Sequence, residues 1–247
     1  MCGRFVVALD REDLLAFFGV NGELPGLHDM PPRYNIAPTQ PILTILGNDT
    51  QRQAALMRWS FMPDWVKDPS SFSLINNARA ETAATKPSFR NALRYRRCLI
   101  PASGFYEWNR KAEAKQPYYM TTTTGEPIAI AGIWETWMGP NGEEQDGVAV
   151  LTIASNQTMS QVHHRMPVML EQVDFSRWLD TSSGRADEIT PLLKAQREDY
   201  LSITPVAKDV NKVTNDHSKL LDRVEIDKDA DTNDRQQETA LKQLKLF

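Results

Sequence analysis

Between Arg97 and Ala154 five short runs of strand-forming residues follow one another: RCLIPA, FYEW, YYMTTT, IAIAGIW and VAVLTIA. Few helix-length segments separate them. Successive β-branched and aromatic runs with short polar breaks cannot be laid out as alternating β–α–β units, which need a crossover helix after each strand. RFVVAL (4–9), PILTIL (41–46), AALMRWSF (54–61) and YLSITPV (200–206) add further strands. Helices are expected from Asp10 through Leu14, Leu15, Phe17 and Phe18, over 88–94 behind Pro87, and in VDFSRWL and ADEITPLLKA. Residues 19–33 read as a long surface loop. The fold class is therefore α+β, with a mainly antiparallel, barrel-like sheet flanked by short helices.

The partition is one domain over residues 1–225 and a tail over 226–247. The tail begins EIDKDADTNDRQQE, which is polar, acidic and free of aromatics, a flexible composition. No apolar run approaches the roughly 20 residues that span a bilayer, and no apolar leader opens the chain. A cytoplasmic, membrane-free protein is expected. With 28 basic against 32 acidic residues the net charge is -4. That argues against coating nucleic acid by bulk charge and leaves room for a local basic site. Residues 76–115 supply one: nine Lys or Arg stand against Glu81, Glu107 and Glu113. An ordinary solvated helix and turn would read the same way.

The only cysteines are Cys2 and Cys98. Cys98, inside CLIPA, reads as a small buried hydrophobe. The two cysteines and four scattered histidines show no metal-ligand spacing, and no cofactor is expected. Cys2 differs. Removal of Met1 leaves an α-amine and a thiol on one residue, with ordinary pKa values near ~7.7–8 and ~8.5. Such a 1,2-aminothiol attacks acyl carbons with the amine as its own base, or condenses with an aldehyde to close a thiazolidine ring. A small buried residue at the start of a strand is the bland alternative.

Four segments depart from ordinary core composition: MCGRF (1–5), NARAET (77–82), GFYEW (104–108) and HHRMP (163–167). With YNIAPTQ (34–40), RWSFMPDW (58–65) and ITPVAKDVNKVTND (203–216), they resemble the SRAP family of SOS response-associated peptidases, whose eukaryotic members shield abasic sites in DNA. The resemblance implies that Cys2 crosslinks to the ring-opened aldehyde of an abasic site in single-stranded DNA, with strand-cleaving lyase activity through the same imine. It implies that Asn77 holds the opened sugar, that Glu107 moves protons, and that His163 is a second acid–base group. Arg4, Arg79 and Arg165 would bind phosphates, and Pro38 and Trp65 would pack on bases. Ser60 departs from the pattern, which usually has glycine after the tryptophan. On residues alone, Asn77 would also suit a turn and Glu107 the solvent face of an edge strand. Set among Tyr106 and Trp108, Glu107 is equally placed to lose solvation.

Two other functions fit the same chain: a thiol peptidase of the N-terminal-nucleophile type, and a non-enzymatic reader of modified bases that does not need Cys2. The closing QLKLF resembles the short peptide by which bacterial DNA-metabolism proteins dock on the replicative sliding clamp, through Gln243, Leu244, Leu246 and Phe247. A terminal helix packing on the domain is the alternative.

Overall fold

The computed structural model describes residues 2–20, 30–48, 51–109 and 115–226. The tail with QLKLF therefore lies outside the described residues, as does most of the 19–33 loop. The first strand β1 (Phe5–Val7) leads to α1 (Arg11–Phe18). The Asp10 side chain caps α1 by accepting from Glu12 and Asp13 N–H, and Gly19 ends it in the left-handed conformation. Next come β2 (Arg33–Ile36), β3 (Pro41–Gly47), β4 (Arg52–Arg58) and β5 (Asn77–Arg79). The helices α2 (Ala80–Ala83) and α3 (Pro87–Tyr95) precede β6 (Arg97–Ala102), β7 (Gly104–Asn109) and β8 (Gln116–Thr122). The long hairpin β9 (Ile128–Met138) and β10 (Glu144–Ala154) is followed by α4 (Gln157–Ser160), β11 (Arg165–Pro167), β12 (Met169–Leu170), α5 (Phe175–Leu179) and β13 (Leu201–Pro205).

Two sheets result. In the first, β10, β4, β3, β6 and β9 pair in sequence and β9 pairs again with β10, closing a five-stranded barrel. The ring closes where β10 meets β4 in parallel, with Gly147 opposite Arg58. A Cβ on Gly147 would lie 2.3 Å from the Ser60 carbonyl oxygen. The glycine that permits close approach is thus on β10, and Ser60 is buried without a positive φ. Inside the barrel, Gly132 faces Cys98, whose sulfur would lie 2.7 Å from an added Cβ. Cys98 is fully buried, a packing residue as expected. The second sheet has the order β13-β8-β7-β1-β2 and is antiparallel.

The expected class is the observed one, with local differences. The strand expected over 54–61 stops at Arg58, because Trp59 and Ser60 turn to pair with Gln40 and Arg58. ADEITPLLKA is not one helix but two separate 3-10 turns, Ala186–Glu188 and Thr190–Leu192, with Pro191 denying the backbone N–H that a continuing helix needs. The local basic excess is partly structural. Arg97 is buried and binds backbone carbonyls, and Arg96 pairs with Glu135 at 2.5 Å.

Candidate active site

Cys2 lies just ahead of β1, whose antiparallel register sets Phe5 opposite Phe105. The Tyr106 N–H donates to the Arg4 carbonyl at 2.9 Å, so the chain running back from Arg4 to Cys2 passes alongside Glu107. Cys2 is fully buried and Glu107 is 3% exposed. The desolvated position of Glu107 is the observed one, not the solvent face of an edge strand. Burial, with the Glu107 carboxylate second, pushes the Cys2 thiol up to about 12. At neutral pH this sulfur is a thiol and must give up its proton during any reaction.

His163 closes the other side. It follows α4, where its N–H donates to the Met159 carbonyl. Asn109, at the end of β7, donates to the Gln161 carbonyl at 3.4 Å and draws this loop toward the second sheet. His163 Nδ1 lies 3.9 Å from Glu107 Oε1. The same nitrogen accepts from the Arg165 N–H at 3.0 Å and lies 3.1 Å from the Arg165 carbonyl oxygen. One backbone thus supplies a donor for the neutral ring and an acceptor for the protonated one, which suits a group that cycles between the two. Burial, opposed by Glu107, lowers the pKa of His163 below 6.5. His164 stacks on it at 4.4 Å but is exposed, whereas His163 is buried.

Asn77 and Arg79 lie on β5, which pairs in parallel with β10 at Val150 and Thr152. Asn77 Oδ1 is buried without a hydrogen-bond partner among the described residues, and no hydrogen bond links Asn77 to Cys2, Glu107 or His163. Arg79 is exposed. Arg165 reaches the same edge from β11: its guanidinium binds Glu81 in a two-point fork at 2.5 and 2.9 Å and the Thr152 carbonyl at 2.5 Å. The Arg165 hydrogen bond holds the Glu81 carboxyl down at about 2 against an ordinary 4.5. A depressed carboxylate contributes stability that is complete above pH 4.5 and lost as pH falls toward 2. Comparing melting midpoints at neutral and acid pH should show wild type losing more than Glu81→Gln. Equal losses would assign nothing to this pair, whose Glu81 side chain is 42% exposed.

Arg4 is engaged rather than open. Its Nη1 donates to Asn35 Oδ1 at 2.6 Å and to the Val210 carbonyl at 2.7 Å, and its guanidinium lies 5.7 Å from the Trp108 ring centre. Asn35, 2% exposed on β2, donates in turn to the Lys212 and Asn215 carbonyls at 2.9 and 2.7 Å. Trp108 Nε1 donates to Asn211 Oδ1 at 2.7 Å. The 208–216 segment is thereby fastened to Arg4 and Asn35, beside the start of β1. Sequence reasoning gave Asn35 no role; its only signal was an amide between Tyr34 and Ile36 in strand-like surroundings.

Pro38 occupies a turn in which Gln40 N–H donates to the Ala37 carbonyl and Thr39 has φ 75°. A β-branched residue is strained there. The Gln40 side chain holds the turn, accepting from Ala37 N–H at 3.1 Å and from Arg33 at 2.5 Å. Backbone bonds between Thr39, Gln40 and Trp59 place this turn against the 59–66 segment. That segment carries Trp65, 56% exposed with its ring edge-on to Phe72 at 5.7 Å. Among the described residues no group of His, Cys, Asp or Glu is arranged to hold a metal, and no helix is long and apolar enough to cross a membrane.

The SOS response associated peptidase (SRAP) family matches residues 1–213. The chain is 34% identical over 223 residues to the abasic site processing protein YoqW of Bacillus subtilis, covering 90% of this chain and 99% of that one. It is 31% identical over 228 residues to the abasic site processing protein YedK of Escherichia coli, covering 91% and 100%. Among solved structures, a protein from Bacteroides thetaiotaomicron shares the fold with a TM-score of 0.81 at 24% identity, covering 91% of this chain and all of that one. The chain therefore belongs to the SRAP family.

Proposed function

We propose that this protein processes abasic sites in single-stranded DNA by a covalent reaction at Cys2. The observation that carries the reading is the burial of Cys2 with Glu107 and His163, three groups from distant parts of the chain. The names of YoqW and YedK point to abasic sites as what is processed. Once Met1 is removed, the α-amine adds to the C1′ aldehyde of the opened sugar, and loss of one water gives an imine. The thiol then adds to the imine carbon while its proton passes to nitrogen, closing a thiazolidine. Glu107 and His163, buried and 3.9 Å apart, would move the protons that water loss and thiol addition require. The same imine allows elimination of the 3′ phosphate, which would be lyase activity. Asn77, with its unpartnered carbonyl oxygen, suits a sugar hydroxyl. Exposed Trp65 offers a face for a base.

The test is a denaturing gel of the Met1-processed protein with single-stranded DNA carrying one abasic site. A covalent band is expected, and Glu107→Gln should slow its appearance about 100-fold or more. No band from processed wild type discards the reading and sends the search to peptide substrates. Docking of the QLKLF tail on a sliding clamp is a separate proposal: deletion of Gln243 to Phe247 should abolish clamp capture in a pull-down, and unchanged capture would remove it.

A further inference from the structure

The exposed face of α3 carries charge that neither the catalytic cluster nor the fold uses. Lys86, Arg90 and Arg94 are all exposed, and their side chains make no hydrogen bond or ion pair among the described residues. Spaced four residues apart, they fall on one side of the helix at steps of about 6 Å. The adjoining stripe, Phe89, Ala92 and Leu93, is buried. Arg79, exposed and equally unpaired, stands at the head of α2 just before this row. The carboxylates of neighbouring elements are already engaged, Glu81 with Arg165 and Glu135 with Arg96.

Two features separate this row from an ordinary solvated face. A solvated face in a chain with more acids than bases mixes signs, and here every exposed charge on α3 is positive. The head of the row also runs against the helix, although Arg94 in the last turn suits it. Lys86 occupies the N-cap position without a capping hydrogen bond, no acid stands in the first turn, and Arg90 follows. Cations at the positive end of a helix cost stability. A cost without structural return points to an anionic partner.

The row begins beside the site. Arg79 is two residues beyond Asn77 on β5, and Phe89 of α3 packs edge-on against Phe61 at 5.6 Å, in the segment that leads to Trp65. We propose that Lys86, Arg90 and Arg94 form a track for the sugar–phosphate backbone of the single strand as it leaves the site. The proposal rests on the reading that the protein binds single-stranded DNA, and extends it to a stretch of strand away from the reacting sugar.

The experiment measures equilibrium binding of strands of about 4 and about 16 nucleotides. Each carries a central tetrahydrofuran in place of the abasic sugar, which cannot react. Wild type is compared with the triple variant Lys86→Gln, Arg90→Gln, Arg94→Gln across a salt series. All three side chains are exposed, and an unchanged melting midpoint verifies the fold. For the long strand the variant should bind roughly tenfold or more weakly, with a log–log salt slope shallower by about 2, three contacts at about 0.7 each. The short strand should bind both proteins alike. Equal slopes and affinities for the long strand overturn the track and leave the site reading intact. A wild type that binds neither length overturns both.

Discussion

Cys2→Ala is expected to give no heat-stable band with abasic single-stranded DNA, yet still to give a band when borohydride is added. The variant keeps the α-amine, so the imine forms and can be reduced, but it lacks the sulfur that closes the thiazolidine. Retaining Met1 should abolish the heat-stable band, because it converts the Cys2 amine to an amide and leaves no 1,2-aminothiol. The two results together separate the contributions of nitrogen and sulfur, and a stable band from Cys2→Ala would sink the thiazolidine assignment. The pH dependence should say which proton matters. The Cys2 thiol, pushed up to about 12, supplies little thiolate near neutrality. A rate limited by free thiolate would keep climbing above about pH 8, whereas one limited by the amine levels off there. We expect the plateau, because Glu107 acts directly on the Cys2 thiol and His163 lies 3.9 Å from Glu107, a route for its proton as the bond forms. Glu107→Gln should lower that plateau. If instead the variant leaves the plateau unchanged, Glu107 serves the fold and not the reaction.

That chemistry was legible in the sequence only in part, and the limits have physical causes. RCLIPA, IAIAGIW and VAVLTIA announce themselves because a long barrel strand needs many apolar residues in a row. The strands β2, β5, β11 and β12 have two to four residues each and are strands only because β1, β9 and β10 pair with them. No local propensity encodes a partner's backbone. The same holds for the site. Cys2, Glu107 and His163 were chosen by resemblance, and their segments meet through the β1–β7 register and the turn after α4. Asn35 was not chosen, because its function is to bind carbonyls that arrive from about residue 210. Arg4 shows the reverse case: its charge was visible, but its attachment to Asn35 and Val210 was not. A basic count over 76–115 likewise merged Arg97, which the core consumes, with Lys86, Arg90 and Arg94, which it leaves outside.

Arg97→Met is expected to be the most damaging of the arginine substitutions. The guanidinium is 3% exposed and donates to four carbonyls: Trp178 at 2.5 Å, Leu93 at 2.8 Å, Arg94 at 2.9 Å, and Asp180. Two of these cap the last turn of α3 and two hold the end of α5, so one side chain ties both helices to β6. Burial lowers its pKa to about 10, with Asp180 and Glu188 opposing, so it stays charged at neutral pH. Methionine would keep much of the aliphatic volume but leave the Trp178 and Leu93 carbonyls without donors in a buried place. Two orphaned acceptors cost about 2–6 kcal/mol together, a large share of the roughly 5–15 kcal/mol that holds a domain folded. The urea midpoint should fall accordingly. Arg97→Lys should recover only part of the loss, because a single ammonium cannot span carbonyls on two helices as a planar fork does. An unfolding free energy within about 1 kcal/mol of wild type for Arg97→Met would mean that water reaches those carbonyls, and that packing around Trp178, not the fork, holds the two helices together.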